Sequence, residues 1–229
     1  MNGAATSAKH LALINYPKQA TFGRVLPKNK IYEHSGANTR LKDLFVEQVE
    51  QIIWQYKLAP ETINLPAKPG VPEVQVFRIV LKMGELSVDV LKCIDAAVQF
   101  PILFELEHEG KIKVIAAHKR PNEADASKWA VSDYFSTAWI PANSKRSEMP
   151  VVLDLECLYE TLLQRLTPLA PRAHESFAAL VERLEAVRCK QREIEKVRAK
   201  LVKEKQFNRK VEINATLRQL NNEFEKLSH

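Results

Sequence analysis

The chain has 229 residues, 45% of them hydrophobic and 27% charged, with a formal net charge of +6. That length suits one core domain, or one domain with an extension, and the composition argues against wholesale disorder. No apolar run reaches the roughly 18 residues that cross a bilayer, and the N-terminus lacks the basic-then-apolar order of a secretory signal, so the expectation is a cytoplasmic protein with no membrane partner.

Residues 1–38 are rich in turn-formers and basic residues without a sustained period, which predicts an irregular N-terminal segment whose Phe22, Val25, Leu26 and Ile31 cover the core. Asn38 or Thr39 then caps a helix in which Leu41, Leu44, Phe45, Val49, Ile52, Ile53 and Tyr56 follow three-four spacing as one apolar stripe. After a proline-rich connection, VQVFRIVLK reads as a central strand, being β-branched and apolar on both faces. Ser87 caps a helix with Val90, Leu91, Ile94, Ala97 and Val98 on one face, and Pro101 stops it. PILFELE and KIKVIAAHK flank His108-Glu109-Gly110 and read as a hairpin. A polar loop leads to a further strand, WAVSDYF, and LDLECLYETLLQRL is a helix carrying Leu155, Leu158, Tyr159, Leu162, Leu163 and Leu166 inward. The order predicts an α+β core over residues 39–170, a mostly antiparallel sheet with helices packed on it.

Residues 171–229 form the third region, a basic helical arm of coiled-coil-like character, because no proline or glycine interrupts residues 175–227. It is either one long helix or two. Residues 181–210 hold eleven Lys/Arg against five Glu, which accounts for the whole excess of +6. On a helical wheel with Arg192 at zero, Val187, Ile194, Val197 and Leu201 fall between about 140° and 220°, while Arg192, Lys196, Lys200, Lys203 and Lys210 fall between about 0° and 80°. Ile213, Leu217, Leu220, Phe224 and Leu227 continue the seam rotated by about 100°, implying a bend near QFNRK or two contact surfaces. Arg188, Arg192, Lys196 and Lys200 are successive like-charged i,i+4 neighbours, each pair costing about 0.2–0.5 kcal/mol. Glu193 and Glu195 are expected to offset part of this through contacts with Lys196 and Arg198. Phosphates would relieve the remainder, and eighteen residues of helix span about 27 Å, comparable to eight base pairs. The nucleic-acid candidates are therefore Arg192, Lys196, Arg198, Lys200, Lys203, Lys205, Arg209 and Lys210, with DNA or RNA as partner. Ile194, Val197, Leu201, Leu217, Leu220 and Phe224 are the interface candidates, through which a homo-oligomer could form. A solvated outer face of a coiled coil would account for the same charges.

A second basic group, Lys111, Lys113, His118, Lys119 and Arg120 with Trp129 nearby, lies on the hairpin and its exit loop; Lys119 and Arg120 join the nucleic-acid candidates. Catalytic patterns are weak. No phosphate-binding glycine loop, GxSxG or HExxH is present, and His10, His34, His108, His118, His174 and His229 lack a clear Ser or Cys partner. Cys93, Cys157 and Cys189 lie far apart, without a CxxC, and read as reduced structural thiols; no cofactor or metal is implied. Asp95, Glu105 and Glu107 loosely suggest a diverged metal-dependent nuclease, although exposed strand carboxylates explain the two Glu residues as well.

FGRVLPKNKIYEH, LKDLFVEQVEQIIWQYKLAPETINLP, FPILFEL with AAHKRP, and KEKQFNRKVEIN together resemble a bacterial and archaeal family designated domain of unknown function 4391. The likeness runs from about Phe22 to Leu227. It implies an accessory protein encoded beside helicases and DNA methyltransferases of restriction-like or phage-defence clusters, and carries over no catalytic residues. The leading expectation is a non-enzymatic subunit that docks on a helicase or DNA methyltransferase and touches nucleic acid through the arm. The alternative is an assembly element that uses the arm for oligomerisation.

Overall fold

The computed structural model describes residues 12–122, 125 and 129–228, and these divide into two compact units between Pro168 and Leu169. His10 and His229 lie outside the described residues.

The first unit is α+β. Its strands are β1 (Ile14–Asn15), β2 (Thr21–Val25), β3 (Val49–Leu58), β4 (Val74–Leu81), β5 (Ile102–His108), β6 (Lys111–Pro121), β7 (Trp129–Ser136), β8 (Ile140–Pro141) and β9 (Ser147–Glu148). Its helices are α1 (Lys28–Ser35), α2 (Thr39–Gln48), α3 (Pro60–Ile63), α4 (Val88–Ala97) and α5 (Leu155–Gln164). The main sheet runs β2-β3-β4-β5-β6-β7, with β8 beside β6, while β1 and β9 form a separate parallel pair. Every neighbour in the main sheet is antiparallel except β4 and β5, which α4 connects as a β-α-β crossover.

Two sequence expectations need correction. The N-terminal segment is not irregular after residue 14, since β2 is an edge strand paired with β3 and α1 buries Ile31. Phe22 packs against Trp54 with ring centroids 4.2 Å apart and the planes tilted by 40°, whereas Val25 stays exposed. The expected long helix also ends at Gln48. Val49 is already extended (φ −107°, ψ 122°), and Val49–Leu58 pairs with both β2 and β4. The three-four spacing of Val49, Ile52, Ile53 and Tyr56 is compatible with either state. A run of β-branched and aromatic residues favours the pleated one, and register shifts at Val49/Gln51 and Trp54/Tyr56 blur the alternation that would reveal it. Lysines reach the last turn of α2 and the residue beyond it: Lys28 Nζ donates to Phe45 O (3.0 Å) and to Val49 O, and Lys82 Nζ donates to Val46 O (2.7 Å).

The other elements follow their local chemistry. Asn38 Oδ1 accepts from Leu41 N–H at 2.9 Å, Ser87 caps α4 and Asp154 caps α5. Glu109 and Gly110 both have positive φ, 44° and 71°, as a tight two-residue hairpin turn requires. On one face of the sheet Phe77, Ile79, Phe104 and Leu106 meet Leu91 and Ile94 of α4 and Phe45 of α2, while Val76 and Leu103, which alternate onto the other face, are buried as well.

The second unit is a pair of helices, α6 (Phe177–Lys203) and α7 (Phe207–Ser228). Among the described residues no helix is long and apolar enough to cross a membrane.

Candidate nucleic-acid interface

The arm is two helices, not one. Ser176 Oγ caps α6 by accepting from Ala179 N–H at 3.2 Å, and the helix ends at Lys203. Glu204 then turns the chain: its Oε1 accepts from the N–H groups of Lys205 (2.8 Å) and Gln206 (2.9 Å), in the connection just ahead of the next helix. These bonds hold the Glu204 carboxyl below its usual range, with Arg209 and Lys210 adding to the effect. The two helices run antiparallel. Lys190 Nζ sits 2.9 Å from Glu223 Oε2, and Arg183 Nη1 donates to Leu227 O at 3.1 Å, so positions fall on α6 as they rise on α7. That register brings Ile194 level with Leu217, and both are buried. The 100° rotation of the seam is thus resolved by chain reversal at residues 204–206, which lets two differently phased faces meet. Val197, Leu201, Leu220 and Phe224 are half-buried.

The hairpin is held at its base by charge. Arg183 forks onto Glu175 (Nε to Oε1, 2.7 Å; Nη2 to Oε2, 2.8 Å) and also donates to Ala170 O. Hydrogen bonds from Arg183 and from the Arg172 N–H hold the Glu175 carboxyl down to about 2. Lys190 is pushed above its ordinary range by the hydrogen bonds it donates to Glu223 and Glu193.

The outer half differs. Arg192, Lys196, Arg198, Lys200, Lys203, Lys205, Arg209 and Lys210 are all exposed. The expected offset from Glu193 and Glu195 does not form: Glu193 pairs with Lys190 at 2.9 Å, and Glu195 accepts from Gln191 at 3.2 Å. Glu204 is engaged by backbone N–H groups. The stripe keeps its like charge along α6 while Glu193 and Glu195 bond elsewhere, leaving a surface that an anion would stabilise.

The second basic group is divided by burial, which corrects the expectation for Lys119. Lys119 is only 1% exposed; its ammonium donates to the carbonyls of Asp95 and Val98 and lies 3.6 Å from Asp95 Oδ1. It caps the C-terminus of α4 from inside the domain, so it is unavailable to a phosphate. Alternation on a strand turns its neighbour Arg120 outward, where it is exposed. Burial pushes the Asp95 carboxyl up and the Lys119 ammonium down, against their mutual attraction, and Tyr134 O–H donates to Asp95 Oδ2. Trp129 lies 5.7 Å from the Lys119 ammonium and shares a cleft of about 520 Å³ with Asp95, Gln99 and Tyr134. His118 is held down to about 4 by burial and by Arg120, so it is neutral near pH 7.

The three carboxylates of the nuclease alternative are not brought together. Asp95 belongs to α4, on the Phe104 face of the sheet, whereas Glu105 and Glu107 alternate onto the opposite face. Arg146 forks onto Glu105 with both bonds at 2.8 Å and also donates to Ile14 O, and Arg78 binds Glu107. Among the described residues no three His, Cys, Asp or Glu side chains gather as a cation site.

No curated protein and no solved structure matches the chain. Residues 14–224 match the family described as Domain of unknown function (DUF4391), nearly the whole length of the molecule, and the chain belongs to that family.

Proposed function

We propose that the protein is a non-enzymatic accessory subunit of a bacterial DNA-processing or phage-defence system, docking on a helicase or DNA methyltransferase partner and contacting nucleic-acid backbone through its basic helical hairpin. The observation that supports this reading is the outer half of the hairpin, where eight cations are exposed and Glu193 and Glu195 bond away from them. Such a surface costs helix stability in isolation and recovers it when phosphates displace their counterions. Fluorescence anisotropy with labelled duplex and single-stranded oligonucleotides across a salt series tests it. Converting Arg192, Lys196, Lys200, Lys203 and Lys210 to Glu is expected to weaken binding by roughly 10³-fold or more, and the salt slope should flatten by roughly 0.7–0.9 for each phosphate no longer neutralised. Affinity that is unchanged in this variant, or independent of salt, would end the proposal.

One observation favours a second reading, an assembly role. Val197, Leu201, Leu220 and Phe224 remain half-buried along the seam, a coiled-coil-like strip that another helix could complete. On that reading Leu220→Asp lowers the mass seen by light scattering while the five-residue charge reversal does not.

A further inference from the structure

The tip of the hairpin carries apolar side chains that the seam does not use. Phe207, the first residue of α7, is 78% exposed, Val202 at the end of α6 is 85% exposed and Val211 is 54% exposed. With Phe207 set at zero on a helical wheel, Val211 falls at about 40° and the outward Arg218 at about 20°, while Leu217, Phe224 and Leu220 of the seam fall between about 220° and 280°. Phe207 therefore stands away from α6, and Lys203, Lys205, Arg209 and Lys210 lie within four residues of it. An aromatic ring left in water at the end of a hairpin contributes nothing to folding. A small apolar set of one phenylalanine and two valines is too little area for a stable protein interface or for a seat in a lipid headgroup layer. One ring face among cations is, however, sufficient to stack an unpaired base whose phosphates the cations hold. A closed duplex offers no ring face to it.

We infer that the hairpin tip takes single-stranded nucleic acid, with Phe207 as the stacking platform and Lys203, Lys205, Arg209 and Lys210 holding the flanking phosphates; this rests on the backbone-binding reading above and adds the structural class of the ligand. Unpaired bases at a fork or gap are the form in which such a tip would meet substrate. The test compares full-length wild type, Phe207→Ala and Phe207→Trp against labelled poly-dT and against a blunt duplex of equal length. Phe207→Ala is expected to weaken poly-dT binding roughly 5- to 150-fold while leaving duplex binding within about twofold, and Phe207→Trp is expected to keep or tighten it. Because the ring is exposed, far-UV circular dichroism should show unchanged helicity. If Phe207→Ala lowers poly-dT and duplex affinity equally, or lowers neither, the inference is overturned. Charge reversal that still abolishes binding in that case leaves the backbone reading standing. Wild-type protein that binds neither oligonucleotide overturns both.

Discussion

The two units use the same residue types in opposite ways. In the α+β unit, charges on the sheet and its helices are largely consumed: Lys119 by the end of α4 and Asp95, Glu105 by Arg146, Glu107 by Arg78. In the hairpin, Arg183 and Lys190 are consumed likewise at the base, but beyond Arg192 the cations lie exposed beside carboxylates with other partners. A charge taken out of water must be paired or it unfolds its surroundings, whereas a solvated one costs little and stays available to a ligand. Burial, rather than residue type, separates structural from candidate functional cations here, as the interior Lys119 and the exposed Lys196 show.

Substitutions should separate the units in the same way. Lys119→Met, which leaves buried Asp95 without its cationic partner, is expected to cost about 3–5 kcal/mol in urea denaturation. It should leave the salt slope of oligonucleotide binding unchanged; a flatter slope would return Lys119 to the interface. In the hairpin, Leu217→Ala is expected to cost about 2–3 kcal/mol, at the low end for leucine because the site can collapse. Hydrogen exchange should show that destabilisation in α6 and α7 and not in β4 or β5. Acid gives a smaller, graded effect. Glu175 titrates at about 2 when folded against 4.5 ordinarily, so its contribution is complete above 4.5 and is lost as pH falls towards 2. Glu175→Gln should flatten the acid-induced decline of helicity in that window, and an unaltered profile would show that the Arg183 fork does not anchor the hairpin. The smallest change is expected from Arg198→Gln, which should reduce the salt slope by roughly 0.7–0.9 without altering thermal stability.

Much of this organisation is legible from local pattern. The helix caps Asn38 and Ser87, the Glu109-Gly110 turn, the strands β4 to β7 and the concentration of charge after residue 181 all depend on residues close in sequence, and the structure places each accordingly. Where pattern misleads, a distant partner outvotes it. Val49–Leu58 carries a helical spacing, but β2 and β4 supply its hydrogen-bond partners from both sides. Lys119 looks like part of a basic patch when charge is counted along its strand, because nothing local reveals the end of α4 lying across the sheet. Phe207 falls outside the apolar seam on the helical wheel, yet its angle alone says nothing of exposure until the reversal at Glu204 puts it at a tip.

The sequence by itself determined the α+β class, the family, the seam positions Ile194 and Leu217, and which residues form the basic stripe, because periodicity, caps and net charge are properties of neighbours along the chain. Only the tertiary structure decided that the arm folds back at Glu204, that Glu193 and Glu195 bond away from Lys196 and Arg198, and that Lys119 is interior. Those outcomes depend on which groups lose water together, and desolvation is settled by what packs across space.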